Sequence, residues 1–178
     1  MRLFIAINFN KLVKGRIQEI INVLEKYSSQ GRFVSQEHLH LTLEFLGEIS
    51  EERLVTIKGL MDNLTSNPFV LKPSKLGYFK RPQGNIYWLG IEYNKELMKT
   101  QEIIHKSLLK EGFKLENRLY KPHITLGRKV KLKNSFNYSI LDEKIKDIRI
   151  DVNKIDLMRS ESINGKLIYS IIHSRIIE

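Results

Sequence analysis

The chain has 178 residues, 42% of them hydrophobic, enough for one compact core or two small lobes. It has no cysteine, which excludes disulfides, thiolate metal sites and a thiol nucleophile and suits a reducing compartment. A formal net charge of +10 favours polyanionic partners such as RNA, although the lysines are spread along the chain with no basic tail or arm.

The opening MRLFIAINFNKLVKGR carries an apolar run too short for a signal peptide or a membrane span, so a cytoplasmic protein is expected. Leu3 to Ile7 reads as a buried strand. A helix follows from Lys11 to Tyr27, with Val13, Ile17, Ile20, Ile21 and Leu24 on one face. Gly31 marks the exit from that helix, and a strand is predicted from Leu39 to Leu46. Ser50-Glu51-Glu52 reads as a helix start, with Leu54, Ile57, Met61 and Leu64 as its stripe and Asn67-Pro68 as its break. Phe69 to Phe79 is strand-like, and residues 81–85 form a turn. A strand over Ile86–Tyr93 then leads to a helix over Lys95–Lys110, with Gly112 at its exit. Pro122 to Gly127 is a further strand. Residues 129–147 read as a polar loop with a short helix. Ile148–Leu157 and Leu167–Ile176 alternate as strands about an Asn164-Gly165 hairpin.

The order strand–helix–strand thus occurs twice, and each copy ends in the same triplet. His40-Leu41-Thr42-Leu43 closes the first and His123-Ile124-Thr125-Leu126 the second. The histidines are 83 residues apart, as are the strand starts Leu3 and Ile86, and Gly31 and Gly112 are 81 apart. This spacing marks an internal duplication. It implies one α+β domain over residues 1–178, made of two pseudo-symmetric lobes with mainly antiparallel sheets and helices outside.

On a strand, residues i and i+2 share a face. Each triplet therefore presents an imidazole beside a hydroxyl. Two imidazoles supply a general base and a general acid near neutrality, and hydroxyls can hold phosphoryl oxygens. That set suits phosphodiester hydrolysis without a metal, a ribose 2′,3′-cyclic phosphate above all. The residues do not say which histidine is acid and which is base.

The sequence resembles the 2H phosphoesterase superfamily, and within it the RNA 2′,3′-cyclic phosphodiesterases formerly called 2′-5′ RNA ligases. The resemblance rests on RLFIAI, HLTLEFLGE, IYWLGIE and KPHITLGR, in that order, and on the tail from Leu157-Met158-Arg159-Ser160 through Asn164-Gly165 to Tyr169. It implies a bilobal fold whose motif strands face each other across a central groove. It also implies hydrolysis of an RNA-terminal 2′,3′-cyclic phosphate to a 2′-phosphomonoester with no cofactor. Carried over, His40 is the proton donor, His123 the proton acceptor, and Arg128 a phosphate contact beside Thr42 and Thr125. Expected partners are RNA ends or 2′,3′-cyclic nucleotides, with the protein a monomer needing no partner chain and no membrane. Two other readings stand beside this one: a nucleotide-binding or RNA-end-binding module without turnover, and 2′-5′ joining of tRNA halves. Phe33 stands where the family often has tryptophan, and Gly127 where alanine is more usual.

The remaining histidines, His38, His105 and His173, read as structural or exposed. A zinc site from His38, His40 and His123 lacks a carboxylate or cysteine at ligand spacing, so no metal is expected. Phe33, Tyr78, Phe79 and Trp88 are candidates for base stacking, with core packing the commoner role for such residues.

Overall fold

Asn10 and Asn94 open the two long helices in the same way. The Asn10 side chain accepts a hydrogen bond from the Val13 amide and that of Asn94 from the Leu97 amide, both at 2.9 Å. Each satisfies one of the backbone donors a helix start leaves free. The computed structural model describes residues 1–178. In chain order the elements are β1 (Arg2–Asn8), α1 (Lys11–Lys26), β2 (Ser28–Phe33), β3 (His40–Glu48), α2 (Glu51–Asp62), β4 (Phe69–Leu71), β5 (Pro73–Phe79), β6 (Asn85–Ile91), α3 (Lys95–Lys110), β7 (His123–Leu132), α4 (Asp142–Lys146), β8 (Ile150–Val152), β9 (Lys154–Ile163) and β10 (Lys166–Ile176). No helix is long and apolar enough to cross a membrane.

Two four-stranded antiparallel sheets carry the architecture, one in the order β10-β9-β1-β3 and the other β2-β7-β6-β5. A ribbon of β4 and β8 joins the halves. Within each sheet the motif strand pairs with the first strand of its own repeat. Asn8 lies opposite His40 and Ala6 opposite Thr42; Gly90 lies opposite His123 and Trp88 opposite Thr125. A core of 35 buried hydrophobic residues draws on both halves and includes the inward faces of α1 and α3.

Five sequence expectations change. The segment after α1 is a strand, and Gly31 lies inside it; its polar sequence hides it because it is the edge of the second sheet, exposed along most of its length. Phe69–Phe79 divides at Lys72 into two strands of different sheets. Lys129–Leu132 extend the second motif strand rather than beginning a loop. Ile148–Leu157 divides into the end of a loop, β8 and the start of β9. The Ile86–Tyr93 strand ends at Ile91. At the last hairpin Asn164 and Gly165 adopt φ of 51° and 75°, the left-handed pair that a two-residue turn requires.

Candidate active site

Both motif strands bend at the same place. Ile5 and Ala6 face Glu44 and Thr42, and Tyr87 and Trp88 face Gly127 and Thr125; in each pair the motif strand carries one extra residue. This is a β-bulge, which re-aims the side chains beyond it. The burial sequences from the histidines onward match for six residues: half-buried, buried, half-buried, buried, buried, exposed. Ile124 and Leu126 enter the core, while His123 and Thr125 point to the other face. The bulge then buries Gly127 as well and returns Arg128 to the face of the histidine. In the first lobe the same steps return Phe45, which lies opposite Phe4.

The two imidazoles are held alike. His40 Nδ1 donates to the His38 carbonyl and His123 Nδ1 to the Lys121 carbonyl, each at 2.7 Å and each two residues back. A carbonyl only accepts, so Nδ1 carries the proton in both rings and Nε2 is left for chemistry. The His40 Nε2 lies 3.1 Å from the Thr42 hydroxyl, while His123 Nε2 has no protein partner. Aromatic walls enclose each ring. Phe4 and Tyr169 pack on His40 with centroids 5.0 and 5.5 Å away, and Phe79 and Trp88 on His123 at 5.3 and 6.1 Å. Burial among these rings pushes both imidazoles below the usual histidine range; the backbone carbonyls oppose the shift. Lys14 and His38 add to it at His40, and Arg118 and Arg128 at His123.

The motifs are cross-braced. The strands β3 and β7 pack against each other. The Tyr120 hydroxyl, three residues before His123, donates to the Thr42 carbonyl at 3.0 Å, and burial raises that phenol's pKa. The Val34 amide donates to the Leu126 carbonyl at 2.9 Å. Glu44, at the first bulge, accepts from His105 of α3 at 2.6 Å and from Gln101 at 3.5 Å. Arg128 is exposed and close enough to both His123 and Tyr169 to lower their pKa values, although burial leaves the tyrosine's raised overall. The five residues named from sequence therefore lie on two adjoining strands, braced by the Tyr120–Thr42 hydrogen bond.

The other candidates divide. Phe79 and Trp88 wall the site. Tyr78 packs on Tyr87 at 5.4 Å, away from the histidines. Phe33 packs on the core side, over Gly31 and Gly127. A Cβ at Gly127 would lie 2.9 Å from Val130 Cγ2 and 3.0 Å from Phe33 Cδ1, so a larger residue there would force both side chains to shift. His38 occupies a 3-10 turn, bonds Ser35 at 3.0 Å, stacks on Tyr169 at 4.8 Å and offers its carbonyl to His40. His105 is the Glu44 partner, and His173 bonds Asp62 at 2.7 Å. No three His, Asp or Glu side chains lie at metal-ligand spacing. Composition and spacing did not bring out Phe4, Phe45, Tyr120 or Tyr169 as part of the site. For Phe45 a signal existed, since it stands five residues after His40 as Arg128 stands five after His123.

Two imidazole–hydroxyl pairs on adjoining strands, with an unpaired arginine beside one of them, are the groups that metal-free phosphoester hydrolysis by two histidines calls for. The family described as LigT like Phosphoesterase matches the chain twice, over residues 9–87 and 89–169. The chain is 34% identical to the RNA 2′,3′-cyclic phosphodiesterase of Thermotoga maritima, over 97% of this chain and 94% of that protein. It is 34% identical to the RNA 2′,3′-cyclic phosphodiesterase of Methanocaldococcus jannaschii, over 97% and 98%. The E. coli LigT complexed with 3′-AMP superposes with a TM-score of 0.81 at 26% identity, over 99% of this chain and 97% of that one. A protein of Thermus thermophilus shares the fold, with a TM-score of 0.83 at 23% identity over 99% and 98%. The chain belongs to the LigT-like phosphoesterase family.

Proposed function

We propose that this protein hydrolyses the 2′,3′-cyclic phosphate at an RNA end, giving a 2′-phosphomonoester and a free 3′ hydroxyl without a metal or cofactor. The observation that carries this reading is the paired tethering of the imidazoles: both rings commit Nδ1 to a backbone carbonyl, which leaves Nε2 of His40 beside the Thr42 hydroxyl and Nε2 of His123 with no protein partner. His123 is the base. Its Nε2 has no protein partner, so the lone pair is free to take a proton from water as the water oxygen attacks phosphorus. His40 is the acid. Its Nε2 proton goes to the 3′ oxygen as the P–O3′ bond breaks, and its Nδ1–H bond to the His38 carbonyl supports the imidazolium. Thr42, Thr125 and Arg128 hold the phosphoryl oxygens, which keep their negative charge throughout. A phosphate anion in the site opposes the burial that lowers the His40 pKa, so binding helps to charge the acid.

The relatives named as RNA 2′,3′-cyclic phosphodiesterases and the relative bound to 3′-AMP support the substrate class. The whole chain acts as one domain of two pseudo-symmetric lobes, as a monomer and in the cytoplasm; the lack of cysteine suits that compartment. The test is a product assay in EDTA on an oligonucleotide ending in a 2′,3′-cyclic phosphate. Wild type is expected to give the 2′-phosphate, and His40→Ala and His123→Ala each to lose at least about 10²-fold in rate. Undiminished turnover in either variant, or a 3′-phosphate product, overturns the reading.

A further inference from the structure

The pairing of β2 with β7 sets Arg32 directly opposite Arg128. Directly opposed residues of an antiparallel pair project from the same face, and like charges there repel. Both arginines are exposed. Most other arginines have partners. Arg118, Arg149 and Arg159 each have a carboxylate, and Arg16, Arg53 and Arg81 each donate to a backbone carbonyl. Arg32 and Arg128 have neither, so the repulsion between them is not relieved inside the molecule.

The face they share is that of His123 and Thr125. Phe33 and Gly127, the next opposed pair, turn to the core side, which leaves the opposite side to Arg32 and Arg128. Arg32 lies one strand further out than Arg128, on the edge of the sheet, a step of ~4.8 Å away from the histidine strand. A planar guanidinium suits bidentate contact with a phosphate, and two of them side by side favour an anion between or beyond them.

We propose that Arg32 is a specificity-determining residue that holds the phosphodiester immediately 5′ of the terminal cyclic phosphate, while Arg128 beside it stays on the cyclic phosphate itself. The protein then prefers oligonucleotide ends to mononucleotide 2′,3′-cyclic phosphates. This rests on the hydrolytic reading of the site, and it adds the length and charge of the substrate. The edge strand that reads as a featureless polar stretch in sequence thereby acquires a function: it carries a cation from the first half of the chain to the second half's histidine.

The experiment compares kcat/KM for three substrates: a nucleoside 2′,3′-cyclic phosphate, a dinucleotide ending in the same group, and that dinucleotide with an uncharged methylphosphonate at its internal linkage. Wild type is expected to favour the native dinucleotide about tenfold over the other two. Arg32→Gln is expected to bring the three within about twofold of one another, and Arg32→Lys to keep part of the preference. For the native dinucleotide, the slope of log kcat/KM against log salt concentration should become shallower by about one in Arg32→Gln. Equal use of the native and methylphosphonate dinucleotides by wild type overturns the inference, as does a preference that survives Arg32→Gln. In both cases the hydrolytic reading stands. No turnover of any of the three substrates by wild type removes both.

Discussion

Gly77 offers a way to disturb one imidazole without touching it. A Cβ built at this position would lie 2.5 Å from Trp88 Cζ2 and 2.6 Å from Cζ3. Carbon atoms rest ~3.5–4.0 Å apart, so in Gly77→Ala the indole must retreat by about 1 Å. It has little room to do so. Phe79 packs on it with centroids 5.4 Å apart, and the His123 ring lies against it at 6.1 Å. The six-membered edge over Gly77 is rigid, so the strain passes to the ring as a whole and then to the histidine. Overpacking of this kind costs ~1–3 kcal/mol. At roughly 2–4 °C per kcal/mol for a chain of this size, thermal denaturation should show a Tm lowered by about 2–12 °C. Misplacement of a reacting group by about 1 Å can cost ~10²-fold in rate, so kcat/KM on a cyclic phosphate end should fall by about 10- to 100-fold. The double variant Gly77→Ala, Trp88→Leu removes the clash and should recover part of the lost Tm, which a double-mutant cycle reads directly. An unchanged Tm and rate in Gly77→Ala would refute the argument that Trp88 is wedged between this glycine and His123.

The pH profile provides a second test. Burial holds both imidazoles below the ordinary histidine value of about 6.5, and the proposed mechanism requires one of them neutral and the other charged. The bell for the free protein should therefore peak on the acid side of about 6.5, and a peak above pH 7 would contradict the burial. The same shifts make the folded state bind fewer protons than the unfolded one. Their contribution to stability is present above the unfolded value and lost as pH falls through the depressed folded values, so urea midpoints should drop on going below about pH 6.5. Removing the cross-brace in His105→Ala leaves the nearly buried Glu44 carboxylate with only Gln101 at 3.5 Å. We expect a loss of ~1–3 kcal/mol by chemical denaturation, and no change would mean the contact is idle. At the last hairpin, Gly165→Ala places a side chain at φ 75° and should cost about 1 kcal/mol; a neutral result would show that the turn relaxes.

Much of this site was legible because its chemistry is local. The histidine and threonine of each triplet are two residues apart on one strand, and alternation alone puts them on one face. The long helices were legible for the same reason: α3 spans Lys95–Lys110 as its stripe requires, and α1 ends one residue short of the expected Tyr27. What stayed hidden depends on contacts between distant segments. Ser28–Phe33 has no apolar alternation, because its residues are mostly exposed and its place in the sheet is set by hydrogen bonds to β7. The paired bulges are invisible in sequence, since an extra residue on one strand is defined only against its partner. Without them Arg128 would be read as sharing the core face of Leu126, two positions before it. Phe33, a candidate base platform by residue type, proves to fill the space that two glycines leave.

The sheets also exchange strands across the repeat. The sheet that holds His40 needs β9 and β10 from the end of the chain, and the sheet that holds His123 needs β2 from near its beginning. Neither half is therefore a detachable module. Cleaved at the Arg81–Asn85 turn and purified apart, each piece would present a raw strand margin where the other half used to pair, and the natural way for either to heal it is to find the complementary fragment. Mixing the two fragments should restore the molecule, whereas a single half, even in two copies, would lack the strands that its own repeat does not encode.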